Sequence, residues 1–88
     1  MFYNENQAKI ITVWQKGQII PNVDSRMFRR DKYGSLMKFL DYGNRNSEYG
    51  WEIDHIIPKS RGGSDYIHNL QPLNWKNNCA KSDNRYFR

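Results

Sequence analysis

The sequence predicts an α+β domain whose C-terminal part is a β-β-α unit. Three observations carry the prediction. The run Trp51-Glu52-Ile53-Asp54-His55-Ile56-Ile57 is β-branched and apolar on both flanks, and Pro58, which has no N–H to give to a ladder, stops it. Asn69-Leu70-Gln71-Pro72-Leu73 offers a second, shorter strand. Asn74 is then a good N-cap for a helix running from Trp75 to about Asn84. Between the strands, Lys59-Ser60-Arg61-Gly62-Gly63-Ser64-Asp65 is a basic loop hinged on two glycines.

The elements ahead of that unit are shorter. Residues 1–20 read as one amphipathic element, and periodicity does not decide its type. Ile10-Ile11-Thr12-Val13-Trp14 is β-branched enough for a strand, whereas Ala8, Ile11, Trp14 and Gln15 fall near helical spacing. Gly17 ends it in either form, and Pro21-Asn22 opens a polar turn. Met27 to Arg30 and Ser35 to Leu40 read as a hairpin about Asp31-Lys32-Tyr33-Gly34, with Gly34 placed for a positive φ. Asp41 to Gly50 is loop by composition. In the last helix Asn74, Asn77, Asn78 and Asp83 favour caps and turns, so tertiary contacts must hold it, with Trp75 and Cys79 expected to face inward. No repeat or linker divides the chain, so its 88 residues are expected to form one domain: an extension and hairpin over 1–48 and the β-β-α core over about 49–84.

Composition narrows the classes. Hydrophobic residues make up only 38%, but 15% of the chain is aromatic, so a few large side chains can supply much of the burial. Trp14, Trp51 and Trp75 are the natural core aromatics. The single cysteine, Cys79, excludes an internal disulfide and a four-cysteine zinc site, and it fits a reducing cytoplasmic compartment. Fourteen Lys and Arg against nine Asp and Glu give a net charge of +5, which suits a polyanion partner, nucleic acid first. Met1-Phe2-Tyr3-Asn4-Glu5-Asn6 lacks a basic stretch followed by an apolar one, and no apolar run reaches membrane-spanning length. The expectation is a soluble chain with no membrane partner.

The Asp54-His55 pair is costly where it stands. A carboxylate among isoleucines requires a metal, a partner charge or hydrogen bonds to offset its desolvation. Hydrolysis of a phosphodiester requires a divalent ion on the phosphate, a base for water and a group that holds the base. Asp54 and Asn78 offer oxygen ligands, and His55 offers an imidazole, whose ordinary pKa of about 6.5 leaves it able to take a proton at neutral pH. An amide such as Asn69 can fix the ring's orientation and tautomer, although Asn is also an ordinary turn residue at the start of a strand. Glu52 shares the face of Asp54 under strict alternation, as a supporting group or a solvated charge. His68 reads as surface or loop packing. Adjacent strand residues point to opposite faces, so the strand must bend or end near His55 if the pair is to serve one phosphate.

Three blocks taken together, Asp54 through Asp65, Asn69 through Leu73, and Asn78-Cys79-Ala80-Lys81, closely resemble the HNH endonucleases, or ββα-metal nucleases. The resemblance covers roughly Tyr49 to Asn84. The approach from Tyr42 to Glu52 is similar to that of small stand-alone bacterial or phage members. The resemblance implies a ββα-metal unit with a hairpin-like N-terminal extension. It implies His55 as general base, Asn69 as the middle Asn that orients it, and Asp54 and Asn78 as ligands of one divalent metal. Spacing to Lys81 selects Asn78 over Asn77. Histidine often stands where Asn78 does; the Asn form also occurs, as in the HNH domain of the RNA-guided CRISPR nuclease. An oxygen-only site favours Mg2+ or Mn2+ over Zn2+ or Ni2+. Asn74 and Asn77 stand where many members carry the second Cys-x-x-Cys pair of a structural zinc, so no structural zinc is expected.

Lys59, Arg61, Lys76, Lys81 and Arg85 are expected to rim the site as nucleic-acid contacts. The implied function is a divalent-metal-dependent DNA endonuclease acting on duplex or nicked DNA with low sequence specificity, leaving 5′-phosphate and 3′-hydroxyl ends. The alternative is a DNA-binding module of the same fold with little activity alone, serving a larger complex. A homodimer or a larger protein partner is open to both.

Overall fold

The structure, a computed structural model, describes residues 4–82. Among them the order is α1 (Glu5–Trp14), β1 (Phe28–Arg30), β2 (Leu36–Lys38), β3 (Trp51–His55), β4 (Leu70–Asn74) and α2 (Trp75–Ser82), an α+β arrangement of two helices and two antiparallel pairs.

The ambiguous first segment is a helix because its start is capped reciprocally. Asn4 Oδ1 accepts from Gln7 N at 2.7 Å, and Gln7 Oε1 accepts from Asn4 N at 3.0 Å. Two amides that would be orphaned at a helix start are thereby satisfied, a local device that apolar spacing does not reveal. The helix buries Val13 and Trp14, and Trp14 Nε1 donates to the Ser25 carbonyl at 2.9 Å.

β1 and β2 pair as expected, with Arg29 opposite Met37 and Gly34 at a φ of 88° in the turn. The return strand is shorter than predicted. It ends at Lys38, and Phe39–Asp41 forms a 3-10 turn. The aromatic core takes Phe39 out of the strand. Its ring meets Trp14 edge-on at 5.4 Å, and its carbonyl accepts from Trp51 Nε1 at 3.1 Å. Trp51 is fully buried, and with Trp14 at 5.1 Å it centres a core completed by Val13, Met37 and Leu70.

β3 and β4 run antiparallel with Trp51 opposite Asn74 and His55 opposite Leu70. In a two-stranded sheet both strands are edges, so Pro72 is tolerated within β4. β3 stops at His55, two residues before the predicted end. There the Asn69 side chain replaces the ladder: its Oδ1 accepts from Ile57 N at 2.9 Å and its Nδ2 donates to Ile57 O at 3.0 Å. Ile56 and Ile57 are consequently exposed.

Asn74 caps α2, its Oδ1 accepting from Lys76 N at 3.0 Å. The helix phase differs from the predicted one. Asn77 and Ala80 are buried, whereas Trp75 and Cys79 are half-buried. Trp75 follows the strand directly and lies against the loop before β3, donating from Nε1 to Ser47 O at 2.8 Å. Asn77 instead reaches the hairpin turn, where its Nδ2 donates to Asp31 Oδ2 and Ser35 Oγ, both at 2.8 Å. Asp31 is fully buried and accepts four bonds, from Tyr33 N, Ser35 N, Asn74 N and Asn77 Nδ2. That carboxyl ties the N-terminal hairpin to the junction of β4 and α2. The predicted end of the helix at about Asn84 lies outside the described residues.

Candidate active site

The end of β3, the loop that follows it and the outer face of α2 enclose a cleft of about 800 Å³. Asp54, His55 and Asn78 all line it, with Lys59, Arg61 and Lys81. The alternation problem is relieved because β3 terminates at His55. The loop then folds back over a 3-10 turn at Lys59–Arg61. Gly63 is needed for that return, since a Cβ there would lie 1.7 Å from the Ile57 carbonyl oxygen.

Asp54 is 8% exposed, and both of its bonds fall on one oxygen: Oδ2 accepts from Lys81 Nζ at 2.6 Å and from Gln71 Nε2 at 2.8 Å. Among the described residues Oδ1 carries no bond, which leaves it as a donor atom for a ligand. Asn78 is held in a similar way. Its Nδ2 donates to Glu52 Oε1 at 2.9 Å, and Arg45 grips Glu52 with Nε at 2.7 Å and Nη2 at 2.9 Å. The Arg45 fork, and after it the Asn78 amide, hold the Glu52 carboxyl below the usual carboxylate range against the opposing effect of burial.

His55 is gripped by a residue not anticipated from the sequence. Its Nε2 lies 2.7 Å from Asp65 Oδ1, while Lys59 Nζ approaches the other oxygen of Asp65 at 3.0 Å. The bond to His55, and then that to Lys59, lower the Asp65 pKa. An ionised carboxylate only accepts, so Nε2 is the nitrogen that donates to Asp65. The sequence reading gives this duty to Asn69, whose side chain makes no direct bond to the ring. Asn69 is buried, and its amide bonds to the backbone of Ile57 and to Ser64 O at 2.8 Å rather than to the ring. It shapes the loop that brings Asp65 round. The one signal for Asp65 was its place just past Gly62 and Gly63, where a chain reversal returns it towards His55.

The expected basic rim is reduced. Lys81, expected as a nucleic-acid contact, turns inward, with Nζ on Asp54 and on the His55 carbonyl at 2.7 Å. Lys59 is engaged with Asp65, and Lys76 is exposed beside the Trp75 ring, off the cleft wall. Arg61 is exposed on the wall itself. Arg85 lies outside the described residues. His68 stacks at 5.7 Å on the exposed ring of Tyr66.

No cluster of three or more His, Cys, Asp or Glu side chains suited to a metal exists among the described residues. The donors available are one carboxylate oxygen and one amide oxygen. That pair fits a hard divalent cation, which would need waters or other oxygen donors to complete its coordination.

A carboxylate, an imidazole and an amide thus converge on one cleft of a β-β-α unit. Residues 39–84, just over half of the chain, match the family model described as HNH endonuclease, and the chain belongs to that family. No curated protein and no solved structure matches it.

Proposed function

We propose that this protein is a divalent-metal-dependent DNA endonuclease with His55 as its general base. The observation that carries the reading is the convergence of Asp54, His55 and Asn78 on one cleft. Asp54 and Asn78 would hold the ion, Mg2+ or Mn2+, through the oxygens that their neighbours leave free. Such an ion, when bound, supplies Lewis-acid stabilisation of the charge that develops on the phosphate and the leaving oxygen. His55 takes a proton from water at Nδ1 while its Nε2–H stays on Asp65, which aligns the ring and stabilises the imidazolium that forms. The water oxygen attacks phosphorus in line with the leaving 3′-oxygen. Arg61 on the cleft wall meets backbone phosphate, a contact that positions DNA without reading bases, hence low sequence specificity.

The test is supercoiled plasmid incubated with Mg2+, Mn2+ or EDTA, with end-mapping of the products. Conversion to nicked or linear forms is expected only with metal, and His55→Ala should lower the rate by about 10²- to 10⁴-fold. Cleavage in EDTA, or a His55→Ala variant as active as the parent, overturns the reading. One observation favours the second reading, a DNA-binding module with little activity alone: Lys81 already neutralises one oxygen of Asp54. That reading expects salt-sensitive DNA binding and no plasmid conversion with any metal.

A further inference from the structure

Asn78 can serve a cation only with its oxygen turned to the cleft. An amide has an acceptor end and a donor end of nearly the same shape, so something outside the side chain must choose between them. Here the chooser is Glu52. A carboxylate only accepts, so the group facing Glu52 Oε1 at 2.9 Å must be the Asn78 NH2, and Oδ1 is sent the other way. Glu52 is itself fixed by the two-pronged Arg45 contact, a geometry that constrains orientation as well as position. Arg45 sits in a loop tied to α2 through the Trp75–Ser47 bond, and its guanidinium lies 5.9 Å from the Trp75 ring. The brace therefore starts and ends on α2, one turn apart.

We propose that Glu52, braced by Arg45, is a positioning residue that sets the affinity of the site for its divalent ion by holding Asn78 with its oxygen towards the cleft. The role deepens the metal-site reading above and rests on it. Asp54 shows the same logic, since Lys81 and Gln71 both hold the oxygen that is not offered. Partners of this kind behind a ligand ordinarily change metal affinity by about 10- to 100-fold.

The measurement is Mn2+ binding by the full chain, followed by the paramagnetic resonance signal of free Mn2+, with circular dichroism melts to check folding. In Glu52→Gln the new amide can present either end to Asn78 and no longer dictates its orientation, so the Kd for Mn2+ should rise by about 10- to 100-fold. The exchange variant Glu52→Gln with Asn78→Asp restores the logic in reverse. The amide at position 52 donates to a carboxylate at position 78, whose second oxygen faces the cleft, and net charge is unchanged. Mn2+ affinity should return towards that of the parent. Glu52→Gln binding Mn2+ as the parent does, or an exchange variant no tighter than Glu52→Gln, overturns the proposal. Should Glu52→Gln fail to fold, Arg45→Met carries the test, and parent-like Mn2+ affinity there overturns it. A parent chain that binds no Mn2+ overturns the metal site and this role together. Parent-like binding by a folded Glu52→Gln overturns the positioning role alone.

Discussion

In the proposed mechanism His55 works as a base only in the tautomer that leaves Nδ1 unprotonated, and Asp65 would select that tautomer across a 2.7 Å contact. Asp65→Asn replaces an obligate acceptor with an amide that can donate or accept, so both tautomers become available. The expected outcome is a fall in kcat smaller than that of His55→Ala, with 15N spectra changing from a predominantly Nε2–H imidazole to a mixture. A variant with an unchanged tautomer and parent-like kcat would remove Asp65 from the mechanism. The pH behaviour follows from the sign of the shift. The Asp65 pKa is lowered in the folded chain, first by His55 and then by Lys59. Its contribution is therefore fully present above the ordinary aspartate value and is lost as pH falls through the lowered one. At neutral pH the bond is intact.

At the scale of elements, the β-β-α unit does not stand on its own core. Its helix starts where Asn74 ends β4, and the backbone of Asn74 and the side chain of Asn77 both donate to Asp31, in the hairpin turn of the N-terminal region. Asp31→Asn turns donor against donor at a fully buried site. The expected cost is on the order of 1–3 kcal/mol for each donor left without an acceptor, read as a lower urea midpoint. An unmoved midpoint would mean that the hairpin and the β-β-α unit are not coupled through this carboxyl. Trp75 and Cys79 have helical spacing and apolar character and so looked like the inward pair. The polar demand of Asp31 and the place of Trp75 over the preceding loop set the phase instead.

At the scale of the whole molecule, net charge overstates the cationic surface that the described residues leave open to a polyanion. Arg29 spends its guanidinium on the carbonyls of Ser25, Gln15 and Gly17, Arg45 on Glu52, and Lys81 on Asp54 and the end of β3. Lys16 bonds the carbonyls of Ile67 and Leu70. Arg61, on the cleft wall, is better placed to meet phosphate. Fluorescence anisotropy across a KCl series should show Arg61→Ala lowering the slope of log K against log salt by about 1, whereas Lys81→Met leaves the slope unchanged. The opposite pattern would place the phosphate path elsewhere. No helix among the described residues is long and apolar enough to cross a membrane.

Much of this protein can be read from its residues alone. The strand through Asp54 and His55, the Gly62-Gly63 reversal and the helix carrying Asn78 are each marked by local chemistry: β-branching, missing N–H groups, caps and close approach. Those signals lie within a few positions of one another, so the α+β class and the family were legible, and Asp54, His55 and Asn78 could be named before they were seen to share one cleft. The grip on those residues came from further away. Asp65 holds His55, Arg45 and Glu52 hold Asn78, and Lys81 with Gln71 holds Asp54. Each is a hydrogen-bonding side chain whose partner depends on strand register, helix phase and the path of a loop. A charged residue reads identically in sequence whether it faces solvent or a buried acceptor. Only the packing of Trp14, Trp51 and Leu70 beneath the sheet, and of Asp31 beneath the helix, decided which of those charges became part of the site.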